Sequence, residues 1–168
     1  MPLRDIRMLM RYTAWANARL YDTLEAAQSI IIQEPRPGRP AGLISTLAHM
    51  YVVDRIWRGH LEGRVHGFRT RNLDPSPPLG ELRQTQMAED QWYISFVDLQ
   101  SEETLSQVVD FKFVDGGPGS LSRGDMLLHV FNHKTYHRGY VADMLYESGL
   151  KPPTMDLPVF LRDARPLL

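Results

Sequence analysis

The chain has 168 residues, with 20 acidic and 19 Lys or Arg side chains, so its formal net charge is −1. It contains no cysteine, which excludes disulfides, thiolate zinc sites and a cysteine nucleophile of its own. The balanced charge offers no basic surface for nucleic acid, and no apolar run approaches the roughly 18 residues of a membrane span. The charged N-terminal segment also lacks the apolar core of a signal peptide. We therefore expect one soluble, cytoplasmic domain over residues 1–168.

Four long segments have apolar residues spaced three and four apart, which predicts four helices. The predicted helices cover residues 2–28, 43–61, 79–99 and 123–148. The first cannot continue through residues 34–42, because this segment holds three prolines and two glycines. The polar residues 63–78 are predicted to form a loop.

Residues 108–120 interrupt this helical pattern before the last long helix. They alternate apolar and polar side chains and then turn at Gly-Gly-Pro-Gly, which predicts a short hairpin or an extended excursion. Ser122 and Asp125 resemble a helix-capping pair. Apolar residues in the tail, 150–168, are expected to pack back on the helices. The predicted fold is all-α, an antiparallel four-helix bundle with this excursion before its last long helix.

Three histidines lie four residues apart on the last predicted helix: His129, His133 and His137. Neighbours at this spacing share one helix face, and two imidazoles one turn apart can hold a single divalent ion. The first and third are about 80° apart around the helix axis, so one pair would bind and the third histidine would be its neighbour. A solvated stripe of histidines remains the alternative at this point.

A third ligand would have to come from another helix, and His49 is the best candidate. It lies in an apolar helical segment, where an unpaired imidazole would be costly. His60 and His66, at a helix end and in a loop, are predicted to be exposed. Asp54 could accept a hydrogen bond from an imidazole or form a salt bridge. Arg138 could pair with an acid between helices or anchor an anionic substrate.

Three stretches together resemble the DinB family, the DinB/YfiT-like superfamily of metal-binding four-helix bundles. They are Tyr12-Thr-Ala-Trp-Ala-Asn17 followed by Arg19-Leu20, then Leu47-Ala-His49 through Asp54-Arg-Ile-Trp57, and His129-Val-Phe-Asn-His-Lys-Thr-Tyr-His-Arg-Gly139. They occur in matching order over almost the whole chain, and the last stretch is the most specific.

The resemblance implies a divalent metal, usually nickel or zinc, held by three histidines that correspond here to His49, His133 and His137. His129 matches a histidine that often precedes the pair without being a ligand. Tyr140 stands where a glutamine commonly follows His-Arg-Gly, a departure that could alter packing or access near the site.

The resemblance also implies a homodimer and, in related members, thiol-dependent S-transferases or isomerases that use a low-molecular-weight thiol such as bacillithiol or mycothiol. Three imidazoles leave a metal position open, as in catalytic sites. Because the chain lacks cysteine, the thiol would be external, and it would react with an electrophilic substrate. A metal-dependent hydrolase is one alternative, although the histidine motif contains no carboxylate base. A non-catalytic metal-binding stress-response or interaction protein is the other. The sequence fixes neither the metal nor the substrate.

Overall fold

A computed structural model describes residues 3–27 and 42–164, apart from the side chain of Arg4. These residues are mostly helical, with one small two-stranded sheet. In chain order the elements are α1 (Leu3–Ala26), α2 (Leu43–Leu61), α3 (Leu79–Asp98), α4 (Glu102–Ser106), β1 (Val108–Lys112), β2 (Pro118–Ser122), α5 (Arg123–Glu147) and α6 (Leu157–Asp163). No helix of the described part combines the length and the apolar character needed to cross a bilayer.

The predicted long helices match α1, α2, α3 and α5 closely. The bounds of α2 agree at both ends: Gly42 is its extended N-cap, and Gly63 follows its C-cap with a φ of +65°. This positive φ favours glycine, so the chain can turn away from the helix there. The predicted ends of the first helix, at Pro2 and Gln28, lie outside the described residues, as do residues 34–41. The short helices α4 and α6 were not predicted.

The four long helices pack as neighbours, α1 and α2 each contacting both α3 and α5. Their apolar stripes meet in two main clusters. One holds Leu20, Leu24, Leu47, Leu82 and Leu145, and the other holds Ile6, Val53, Val97, Met126 and Val130, among further residues. Each such side chain contributes about 1.5–3 kcal/mol by leaving water. This burial fixes how α2 faces α5.

The excursion before α5 is a β-hairpin, which is one of the two structures predicted for residues 108–120. Strands β1 and β2 are antiparallel, with Phe111 opposite Gly119. A Cβ on Gly119 would lie 2.5 Å from Phe111 Cζ. Any residue other than glycine at position 119 would therefore require the Phe111 ring to shift. The hairpin leads directly into α5, whose N-cap Ser122 accepts a hydrogen bond from the Asp125 amide at 3.1 Å.

The described part of the tail, residues 150–164, packs back on the long helices as predicted. Phe160 of α6 is buried with its ring centroid 5.7 Å from Tyr12 and 5.6 Å from Trp15. The Tyr12 hydroxyl donates to the Met155 carbonyl at 2.7 Å. Residues 165–168 lie outside the described part.

Candidate metal centre

Three imidazoles from two facing helices form one cluster. His49 lies on α2, and His133 and His137 lie one turn apart on α5. A ring nitrogen of each lies within 4.8 Å of one from both others, and His49 Nε2 is 3.2 Å from His133 Nε2. All three side chains are half-buried. The structure therefore brings together the three histidines that the sequence and the resemblance selected.

The His49 ring is oriented by a backbone carbonyl from the loop after α2. Its Nδ1 lies 2.9 Å from the carbonyl oxygen of Arg71. Since a carbonyl only accepts, Nδ1 carries a proton in this contact, which leaves Nε2 as the ring nitrogen that can bind an ion in the cluster. Partners of this kind fix the tautomer of metal-binding histidines. A carbonyl group exists at every residue, so nothing in the sequence pointed to this contact.

The two α5 histidines of the cluster, His133 and His137, are uncharged at neutral pH. Burial, reinforced by His137 and His49, lowers the pKa of His133 to about 2. Burial, reinforced by His49, lowers the pKa of His137 to about 4. Metal ligation requires neutral imidazoles, and this pair supplies them without releasing a proton.

The donor set suits one divalent ion. Nitrogen ligands bind such ions at about 2.0–2.1 Å. His49 Nε2 and His133 Nε2, which are 3.2 Å apart, are already about as far from each other as two nitrogen ligands of one ion. His133 Nδ1 and His137 Nδ1 are also buried without a hydrogen-bond partner among the described residues. The cluster could therefore hold a metal ion.

His129 lies beside this cluster and is not one of its three members. Its ring is 5.7 Å from the ring of His133 and 4.6 Å from that of Trp57, and its side chain is exposed. This placement agrees with the expectation that one of the three α5 histidines is a neighbour. Tyr140, the departure from the family pattern, packs against the cluster of Leu20 and Leu145.

An open cavity of about 500 Å³ adjoins the histidines. Four parts of the chain line it: α2, the loop after α2, the hairpin turn and α5. The lining residues are His49, Val53, Ile56, Trp57, Arg69, Thr70, Arg71, Asn72, Phe113, Val114, Asp115, His129 and His133. Its volume is in the range of small-molecule sites. A small molecule can therefore reach the imidazoles.

A buried layer of charged and polar residues lies next to the histidines on α5. The Lys134 ammonium forms a short salt bridge with Asp54 and a second with Asp90, Nζ to Oδ1, at 3.1 Å. Gln86 Nε2 donates to both carboxylates at 2.9 Å. Burial lowers the pKa of Lys134, but the two carboxylates outweigh it and hold that pKa above its usual value. Of the two alternatives for Asp54, the structure shows the salt bridge.

Arg138 belongs to the same buried layer. Its guanidinium donates to Asn17 Oδ1 at 3.2 Å and to Thr135 Oγ1 at 3.0 Å, and Asn17 in turn donates to Asp90 at 2.8 Å. Arg138 is therefore linked to the carboxylate of Asp90 through the side-chain amide of Asn17, between helices. It does not line the cavity beside the histidines.

The expectation that His60 is exposed is wrong. Only 8% of this residue is exposed, and its ring centroid lies 5.4 Å from that of Trp57 and 4.6 Å from that of Phe111. The cause is the hairpin, because Phe111 of β1 covers the end of α2. Burial lowers the pKa of His60 to about 4. His66 is half-buried, with its ring centroid 5.2 Å from that of His60.

Fold and site together define a mostly helical protein with a three-histidine cluster that could hold a metal ion. The chain belongs to the DinB family, whose model matches residues 3–167. It is 27% identical over 160 residues to "Protein DinB" of Bacillus subtilis (strain 168), covering 91% of each chain. Its fold is similar to the crystal structure of a DinB-like protein from Bacillus cereus ATCC 10987. The TM-score is 0.67 at 18% identity, over 86% of this chain and 91% of the other.

Proposed function

We propose that this DinB-family protein binds one divalent metal ion, zinc or nickel, through His49, His133 and His137. We further propose that it is a thiol S-transferase: an external low-molecular-weight thiol loses its proton to solvent, and its sulfur bonds to an electrophilic carbon and displaces a leaving group from that carbon. The observation that carries the proposal is the cluster of three imidazoles with ring nitrogens within 4.8 Å, two of which, His49 and His133, line an open cavity.

A bound divalent ion would supply a thiolate at neutral pH by lowering the pKa of the thiol. The chain's own residues would do the rest. The Arg71 carbonyl holds His49 in one tautomer, and burial keeps His133 and His137 neutral. The apolar part of the cavity wall, including Trp57, would exclude water from the reacting sulfur.

Metal content of the tag-free protein, measured by mass spectrometry, tests the metal site. We expect about one equivalent per chain, the stoichiometry of a single three-histidine site. His133→Ala should lose it. His129→Ala is the matched control, because it removes an imidazole one turn away that lies outside the cluster, and it should keep the metal. A wild type that stays metal-free after incubation with zinc and nickel would overturn the proposal.

A thiol screen tests the transferase. Metal-loaded protein should bind a thiol, detected by calorimetry, and should accelerate conjugation of that thiol to an electrophile, whereas His133→Ala should do neither. Metal binding without any thiol binding would contradict the transferase and favour the non-catalytic alternative.

A metal-dependent hydrolase is the second candidate, and one observation favours it. Asp115, in the hairpin turn, lines the cavity beside His49 and His133 and could serve as the carboxylate base that the histidine motif lacks. Ester hydrolysis by metal-loaded protein that falls in Asp115→Asn, with metal content unchanged, would support this candidate over the transferase.

Three further expectations remain part of the proposal. We interpret the four long helices as an antiparallel four-helix bundle, because α1 and α2 each contact both α3 and α5. The resemblance implies a homodimer, which light scattering during size-exclusion chromatography would test. The cytoplasmic location stays a prediction from the sequence.

A further inference from the structure

We propose that the cavity beside the three histidines selects thiols that carry a carboxylate, and that Arg69 and Arg71 recognise this carboxylate. The inference rests on the proposed function, because it names the kind of thiol that the transferase would use.

The first observation is the position of the two arginines. Both line the same cavity as His49 and His133. The Arg71 carbonyl accepts a hydrogen bond from His49 Nδ1 at 2.9 Å, so this part of the loop is held against the imidazole cluster. The guanidinium of Arg71 is thereby attached to a backbone that contacts the site directly.

The second observation is that these guanidinium groups lack an anionic partner. Neither Arg69 nor Arg71 forms a salt bridge within residues 3–27 and 42–164, and both residues are exposed at the cavity. Asp115 is the one carboxylate among the lining residues, and its Oδ1 accepts a hydrogen bond from the Gly117 amide at 3.0 Å. The lining residues therefore include two positive side chains and one negative side chain, and such a cavity attracts anions.

The third observation is the apolar surface of the same cavity. Trp57 and Phe113 contribute apolar surface to a cavity of about 500 Å³, a volume that suits a small organic molecule. A carbon chain can lie on this surface with its sulfur toward the imidazoles. Arg recognises carboxylates through paired hydrogen bonds, so the acid group would bind the guanidinium groups of Arg69 and Arg71.

The loop offers a matched control for a binding test. Arg64 is also exposed and follows α2, but it forms a salt bridge with Glu62 and does not line this cavity. Arg64→Gln therefore removes one positive charge from the same loop outside the cavity. Arg71→Gln keeps the backbone carbonyl that holds His49, so metal content should be unchanged.

The experiment compares two thiols by calorimetry on zinc-loaded protein. One is mercaptopropionate, and the other is its uncharged amide, mercaptopropionamide. We expect the wild type to bind the carboxylate about tenfold more tightly, the net effect of one hydrogen bond between charged groups. Arg69→Gln and Arg71→Gln should each reduce this ratio, the double variant should abolish it, and Arg64→Gln should keep it. Each variant's ratio is compared with the wild-type ratio, because a difference in the acidity of the two thiols cancels from that comparison.

The possible failures are distinguishable. A ratio of the two affinities that is the same in the wild type and in the double variant would overturn this inference and leave the transferase standing. Absence of binding by both thiols to zinc-loaded wild type would overturn the proposed function and this inference with it.

Discussion

Replacing Lys134 by Met would leave two buried carboxylates without their cation. The Lys134 side chain is 1% exposed, and those of its partners Asp54 and Asp90 are 0% and 5% exposed. Met retains most of the apolar stem and volume of Lys, so the packing change is small. The substitution therefore reports the loss of the charge rather than the creation of a cavity.

The expected loss is large for a single side chain. Removing one partner of a buried ion pair costs about 3–5 kcal/mol, against a total stability of about 5–15 kcal/mol for a typical protein. At roughly 2–4 °C per kcal/mol for a chain of this size, the melting temperature should fall by about 6–20 °C. The exposed salt bridges of Arg83 with Asp22 and Glu25 provide the control, because Arg83→Met should cost under about 1 kcal/mol.

The stability lost on replacing Lys134 by Met should also depend on pH. Burial raises the pKa of Asp54 to about 7 from an ordinary value of 3.8, although Lys134 lowers it. Without Lys134 that pKa rises further, so the folded variant holds a proton that the unfolded chain releases. Stability then falls as pH rises, and the variant should lose more at about pH 8.5 than at about pH 6.

Urea unfolding of metal-free protein, followed by tryptophan fluorescence at both pH values, measures this loss. Adding Asp54→Asn to Lys134→Met should restore part of the stability, since one uncompensated acid is removed. A loss below about 1 kcal/mol would refute the reasoning, because the ion pair would then contribute no more than a surface salt bridge. A loss that does not change with pH would refute the assigned role of Asp54 protonation.

Three further predictions concern other parts of the molecule. Metal-free protein should become less stable as pH falls below about 6.5, because the unfolded chain binds protons that folded His133 and His137 do not; urea midpoints at two pH values check this. Phe160→Ala should cost about 3–5 kcal/mol in a thermal melt, and a loss below 1 kcal/mol would mean that the tail contributes little. Gly119→Ala should cost about 1–3 kcal/mol, because its Cβ would collide with the Phe111 ring; an unchanged melting temperature would show that the ring moves aside freely.

The long helices could be predicted from the sequence because two strong local signals coincide. Apolar spacing marks the buried face of each helix, and glycine or proline marks most of the ends, as at Gly42 and Gly63. The short helix α4 has only a weak signal in the sequence. Ser101 caps it and pairs reciprocally with Thr104, but the usual capping-box signature has Glu or Gln in the place of Thr104.

The histidine cluster was predictable only in part. Spacing brings His133 and His137 together on one helix, and the apolar surroundings of His49 pointed to a buried imidazole. The contact of His49 with the Arg71 carbonyl could not be predicted, because it depends on the path of a loop without regular structure.

The buried ion pairs are harder to predict from the sequence than the helices. Asp54 lies at an apolar position of its helix, which indicated an inward side chain. Its partner Lys134 lies 80 residues further along the chain, and local spacing cannot pair two such positions. The same holds for Phe111, whose contact with His60 made the expected exposure of that histidine wrong.

Helix α5 carries two parallel rows of side chains, and this arrangement restricts how the helix can move. His133 and His137 form one row, and the next residues, Lys134 and Arg138, form the other. A side chain about 6 Å from the helix axis moves about 2 Å when the helix turns by 20°, enough to break a hydrogen bond. Rotation of α5 moves both rows together, so turning the imidazoles away would also pull Lys134 from its carboxylates. The ionic contacts in the interior therefore add to the apolar packing in holding the histidine pair at one angle around the axis of α5.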